Sequence, residues 1–148
     1  MKTQYKLTNL ISSVFVVVIL FCLPSCVDII YKYETIPEFK ENRREVDKER
    51  HELTFLAKNE VEWDFIELYI TGKLIDFTSE EVEVTYINPN AEVLLIREIK
   101  GDWFTVQKVN ESTVKIVITE NLGSDKRDLE LILRVGLRYD TITVIQAN

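Results

Sequence analysis

The sequence predicts an all-β protein, an immunoglobulin-like β-sandwich of about eight antiparallel strands over residues 53–148. Three observations carry that expectation. From Leu53 onward apolar residues recur at every second position, which gathers them on one face of a strand. Turn-forming residues interrupt these runs at short intervals. No stretch between them holds a convincing helical spacing.

The first two strands are expected at 53–58 and 62–70. In the second, Val61, Trp63 and Phe65 share one face before Ile66, Leu68 and Ile70 take over the other. A phase switch of that kind predicts a bulge, or a strand passing between sheets. Val82, Val84 and Tyr86 alternate with Glu81, Glu83 and Thr85 in a strand over 81–87, closed by Asn88-Pro89-Asn90. Residues 92–99 hold Val93-Leu94-Leu95-Ile96, apolar on both faces as a central strand or a two-sided contact would be. Gly101-Asp102 turns the chain into 103–108, and Asn110-Glu111 into 113–119, where Val114, Ile116 and Ile118 are in phase. Gly123-Ser124-Asp125 precedes 128–135 with Leu129, Leu131, Leu133 and Val135, and Gly136 leads into 138–146.

Ahead of this body lies a different chemistry. Lys2 and Lys6 form a positive start, and Val14 to Leu23 is an unbroken apolar run of ten residues. Ten residues fall short of a membrane span and match the core of a signal peptide. Leu23-Pro24-Ser25-Cys26 then resembles the lipobox of bacterial lipoproteins, with a small Ser25 before the cysteine. Cys22 is the poorer candidate because bulky Phe21 precedes it. The resemblance implies a signal peptide over 1–25 and a lipid carried by Cys26, the membrane being its partner. Several acyl chains, each contributing about 0.8 kcal/mol per buried methylene, anchor stably where one is marginal. The alternative is a short membrane anchor with an incidental cysteine.

Residues 26–52 are expected to be a charged, partly helical tether. Between Glu38 and Glu52 only Phe39 and Val46 are apolar, and their spacing of seven continues to Leu53, a stripe too narrow to hold a helix strongly. Without its first 25 residues the chain keeps 123 of 148, with 16 of the 18 basic residues against all 25 acids, a net charge of −9. That argues against nucleic acid as a partner and against docking on anionic lipid headgroups through a basic surface. Both cysteines fall at or before the processing site. The body therefore has no disulfide, thiolate metal site or cysteine nucleophile.

The segment Gly101 to Gln146 carries a further pattern. Gly101-Asp102-Trp103-Phe104-Thr105-Val106 is followed by Val114 to Ile118, then Asn121, then Arg127 opening Leu129 to Val135, and the chain closes on Ile142-Thr143-Val144-Ile145-Gln146. This resembles a BACON domain, the immunoglobulin-like module of exported Bacteroidetes proteins, over about 46 residues, with residues 53–100 matching only loosely. It implies a place beside glycan-handling machinery at the outer membrane, as a carbohydrate binder or as a spacer. The residues themselves point to structural work. Trp103 is placed to plug one end of the sandwich. Asn121 suits a turn beside Gly123. Arg127 is expected to pair with Asp128 or Glu120, and Gln146 to satisfy backbone at the end of the last strand.

Catalytic signals are thin, and neither catalytic residues nor a cofactor are expected. His51 is the only histidine and falls in the tether, where a triad has no fixed base. Glu60/Glu62, Glu80-Glu81 and Asp125/Asp128 sit in turns or on outward positions, unlike an acid in an apolar pocket facing a second carboxylate. Asp125 and Asp128 match no calcium loop, and four scattered glycines make no phosphate cradle. Trp63, Tyr69, Tyr86, Phe104 and Tyr139 are the aromatics a sugar could stack on, Phe104 and Tyr139 being the ones placed to point outward. Asp140-Thr141-Ile142 is similar to an O-glycosylation acceptor, a match short enough for chance. The expected protein is a non-enzymatic, lipid-anchored binding or interaction module of the cell envelope, the alternative being a structural spacer or assembly protein.

Overall fold

A computed structural model describes residues 37–148. The period-two pattern becomes strands throughout, with no helix among the described residues. In chain order they are β1 (Arg43–Val46), β2 (His51–Leu56), β3 (Asp64–Ile70), β4 (Lys73–Ile75), β5 (Glu83–Tyr86), β6 (Ile96–Lys100), β7 (Phe104–Asn110), β8 (Thr113–Ile118), β9 (Arg127–Val135) and β10 (Arg138–Gln146). One sheet has the order β1-β10-β9-β3-β4 and the other β2-β8-β7-β6-β5. Every neighbouring pair is antiparallel except β1 with β10, which run parallel.

The inward faces of both sheets supply the core. Val114, Ile116 and Ile118 of β8 and Leu129, Leu131 and Leu133 of β9 are fully enclosed, as their alternation requires. At about 25 cal/mol per Å² of apolar surface, each such side chain contributes about 1.5–3 kcal/mol. The phase switch in β3 is a bulge: the register with β9 shifts between Phe65 and Glu67, so Phe65 and Leu68 both face inward. Gly101 is fixed by packing, since a Cβ there would lie 2.4 Å from the Phe104 ring.

Three expectations are corrected. Residues 38–52 are not a solvated, partly helical tether; they belong to the sandwich. Phe39 is buried and bridges Ala57, and β1 lies along β10. Backbone bonds fix this segment: Lys40 N–H to Leu56 O at 3.0 Å, Lys58 N–H to Glu38 O at 2.7 Å, and Thr143 N–H to Asn42 O at 2.8 Å. The reason is non-local, because the free edge of β10 offers unpaired backbone groups that a charged strand can satisfy as well as an apolar one. Second, Val93 and Leu94 lie in an exposed loop and β6 starts only at Ile96, so the two-sided apolar run is not a central strand. Third, β4 is added as a short hairpin partner of β3 through Thr71-Gly72, with both residues at positive φ. The expected signal peptide, Cys26 and the tether up to residue 36 lie outside the described residues.

Candidate functional site

Each end of the sandwich is closed by a tryptophan under a cation. At the end where β9 begins and β10 finishes, the Arg127 guanidinium lies 4.4 Å from the centre of the Trp103 ring, which also meets Phe104 edge-on at 5.2 Å. Arg127 Nε–H donates to Gln146 Oε1 at 2.8 Å, and another guanidinium N–H to Thr119 O at 2.6 Å. The expected carboxylate partner of Arg127 is therefore replaced by a side-chain amide, a main-chain carbonyl and an aromatic face. Gln146 is fully buried, and its amide nitrogen reaches the carbonyls of Lys48, Glu49 and Thr119 at 2.8–3.0 Å. Asn121 Nδ2 donates to the carbonyls of Asp125 and Ala147, each at 2.9 Å, while its Oδ1 accepts Gly123 N–H. The four residues singled out in sequence thus form one polar knot that ties loops 47–50 and 119–126 to the last strand.

The opposite end is built on Trp63, which is 1% exposed. Its Nε1–H donates to Glu111 O at 2.8 Å. The buried Lys108 ammonium lies 4.3 Å from the centre of the indole ring and donates to Trp63 O at 2.5 Å. It is also 3.1 Å from the Glu111 carboxylate, where the two form an ion pair without hydrogen-bond geometry. Nearby, Asp64 Oδ1 accepts the N–H groups of Phe65 and Ile96 at 2.9 and 3.0 Å, linking the two sheets. Burial pushes the Asp64 carboxyl above its ordinary range, an effect partly offset by those two bonds and by the charges of Lys108 and Arg134.

That shift has a definite sign. A carboxyl whose folded pKa is raised binds its proton more tightly when folded, so its contribution to stability falls as pH rises through the acid range from the unfolded toward the folded value. Asp64→Asn keeps an oxygen for both N–H groups and removes the buried charge. It is expected to match or exceed the parent's stability at pH 7 and to lose this part of the pH dependence. Asp64→Ala leaves both donors unpaired and is expected to cost about 2–3 kcal/mol. Urea titrations at pH 4 and pH 7 check both, and an Asp64→Asn variant as unstable as Asp64→Ala would refute the account.

The residues considered for catalysis do not assemble. His51 is fixed, as the first residue of β2, but its Nε2 bonds Asp47 Oδ1 at 2.7 Å, and that contact draws the Asp47 carboxyl below its usual range. Glu60, Glu62, Glu80 and Glu81 are exposed, and Glu81 is held by Lys73 at 2.7 Å. Among the described residues no group of three or more His, Cys, Asp or Glu is placed to hold a metal ion. Of the aromatics weighed for sugar stacking, Trp63 and Phe104 are buried, the latter against expectation because Phe104 and Val106 share the inward face of β7. Tyr69 and Tyr86 are half-buried, Tyr69 donating to Glu67 at 2.9 Å, and Tyr139 is 56% exposed.

What the sequence did not indicate is a cleft at the Arg127 end. It has a volume of about 380 Å³ and is lined by Ile70, Glu80, Glu81, Asp102, Trp103 and Phe104. Loop 76–82 and the Gly101-Asp102 turn bring three carboxylates to the half-buried indole. At the Trp63 end a smaller cavity of about 220 Å³ opens among Ile87, Arg97 and residues 108–111.

Comparison with known proteins addresses the architecture. No family profile and no curated protein matches the chain. Among solved structures, one determined by NMR for a protein from Bacteroides thetaiotaomicron superposes with a TM-score of 0.55 at 18% identity, covering 76% of this chain and 85% of that one. What the two share is the fold. A second, the Bacteroides ovatus GH5 xyloglucanase in complex with a XXXG heptasaccharide, gives a TM-score of 0.41 at 13% identity, over 74% of this chain and 18% of that one.

Proposed function

We propose that this chain is a non-enzymatic lipoprotein of the cell envelope, anchored through Cys26, whose sandwich is a binding module for a hydroxyl-rich ligand such as a glycan unit. The cleft beside Trp103 is the observation that supports it. Its volume falls in the range of small-ligand sites. The part of the indole that Arg127 leaves uncovered offers apolar surface for the C–H side of a sugar ring, and the Asp102 and Glu80 carboxylates offer acceptors for hydroxyl groups. The N-terminal apolar run and Ser25-Cys26 support the anchor, and the likeness to BACON modules supports a place beside glycan-handling machinery at the outer membrane.

The test is titration with host mucin glycans and plant polysaccharides, read by tryptophan fluorescence and calorimetric heat. Trp103→Ala and the exposed Glu80→Gln are each expected to weaken binding about tenfold or more. Flat responses across the panel would remove the glycan reading. They would favour a second one, a spacer or assembly protein of the envelope. That reading is supported by the scarcity of aromatic surface: Tyr139 is the one aromatic among the strongly exposed large apolar side chains described.

A further inference from the structure

Nine large apolar side chains are strongly exposed among the described residues, and their distribution is uneven. The β5–β6 loop carries Ile87, Val93 and Leu94, and Val109 stands at the adjoining end of β7. Ile87 and Val109 line one cavity, and Ile87 N–H bonds Leu95 O, which places these loops together. The β9–β10 turn adds Leu137, at 92% exposure, and Tyr139 just beyond it. Asp64 joins the two sheets here, bonding Ile96 N–H while pairing in register with Arg134, itself opposite Tyr139. With Leu56 at the end of β2, seven of the nine lie at this one end. Leu74 and Leu122 are the other two, and the loops of the far end carry Asp47, Glu49, Asp76, Glu80, Glu81 and Asp125.

The chain enters the sandwich at this same apolar end. Phe39 bridges Ala57, its N–H reaches Asp140 Oδ2 at 3.4 Å, and Pro37 is buried. Ten residues, 27–36, separate Pro37 from Cys26, so even a fully extended connection reaches no more than about 40 Å. Strands of nine residues put the opposite end about 30 Å away, so bringing that end to the membrane instead would take up most of this length.

We infer that the end at which the chain enters is a bilayer-facing surface, with Val93, Leu94, Val109 and Leu137 resting at the level of the lipid headgroups and upper acyl chains. The inference rests on the anchored-lipoprotein reading. Scattered apolar tips of this kind bind a membrane weakly in free solution, but a lipid a few residues away makes the contact intramolecular, so a weak affinity suffices. Exposed Glu60, Glu62 and Glu92 stand among the apolar tips and limit the contact to shallow seating. A partner with zwitterionic headgroups also suits a body of net charge −9.

The experiment uses the full chain produced in a lipoprotein-processing bacterium and reconstituted into phosphatidylethanolamine–phosphatidylcholine vesicles. Single cysteines are introduced as Leu137→Cys, Val93→Cys or Leu122→Cys, all at exposed positions that leave the core untouched. A nitrobenzoxadiazole label on Leu137→Cys or Val93→Cys is expected to shift its emission to the blue. Nitroxide-bearing lipids should quench it severalfold more strongly than the same label on Leu122→Cys. A chain that floats with the vesicles while all three labels report water would overturn the inference and leave the anchor standing. A chain that does not float would overturn both. A blue shift that appears only on adding another envelope protein would assign the surface to a protein and also overturn it.

Discussion

Replacing Trp63 by alanine is expected to lower the unfolding free energy by about 4–5 kcal/mol in urea titrations at pH 7. The indole meets Phe39 edge-on at 6.5 Å and Phe65 at 5.0 Å, so its loss opens a cavity bounded by two aromatic rings. It also removes the donor to Glu111 O and the ring beneath the Lys108 ammonium, leaving a buried cation beside a void. Trp63→Phe keeps part of the packing and is expected to cost about 2 kcal/mol. If the stranded cation contributes as argued, Lys108→Met placed in the Trp63→Ala background recovers part of the loss, and the two changes are non-additive. A Trp63→Ala cost under about 1.5 kcal/mol would show that this end is not a structural closure.

Gln146→Leu is expected to destabilise by about 3 kcal/mol although the two side chains have similar volumes. The cause is polar: three carbonyls, of Lys48, Glu49 and Thr119, lose their shared donor, and Arg127 Nε–H loses its acceptor. Gln146→Glu separates this cause from packing. At neutral pH it sets an ionised carboxylate against the carbonyl oxygens of Lys48, Glu49 and Thr119 while strengthening the bond from Arg127, so it should still cost stability relative to the parent. A Gln146→Glu variant with unaltered stability at pH 7 would contradict the assignment.

The fold was largely legible because the sandwich has one dry face per strand. Val114-Lys115-Ile116 and Leu129-Glu130-Leu131 announce their sides without any knowledge of neighbours, and the bulge in β3 showed as a change of phase. β1 did not show, because its place depends on the free edge of a strand almost a hundred residues later, and Arg43-Arg44-Glu45-Val46 satisfies that edge through backbone alone. The apolar run at Val93-Leu94 misled in the opposite direction, since apolar character signals burial without saying against what.

At the Trp103 end the sequence pointed to the right side chains and, for Arg127, the wrong partner. Sequence proximity favoured Asp128 or Glu120, whereas the strand register delivers Gln146 opposite Arg127. Lys108 could have been found, because it falls in phase with inward-facing Phe104 and Val106, an anomaly the alternation rule exposes. The cleft could not: Glu80 and Asp102 become neighbours only when the two loops meet.

The parallel pairing of β1 with β10 has a mechanical consequence. β1 is entered at one end of the sandwich, while β10 finishes at the other. A pull applied between the far end and the residues that precede Pro37 would therefore run along these two strands and drag them past each other lengthwise. The bonds from Thr143 to Asn42 and from Ala147 to Val46 are then strained together, whereas a perpendicular pull would peel them one at a time. A segment of alternating charges that looks in sequence like slack line is, in the folded protein, spliced lengthwise into the body it leads into.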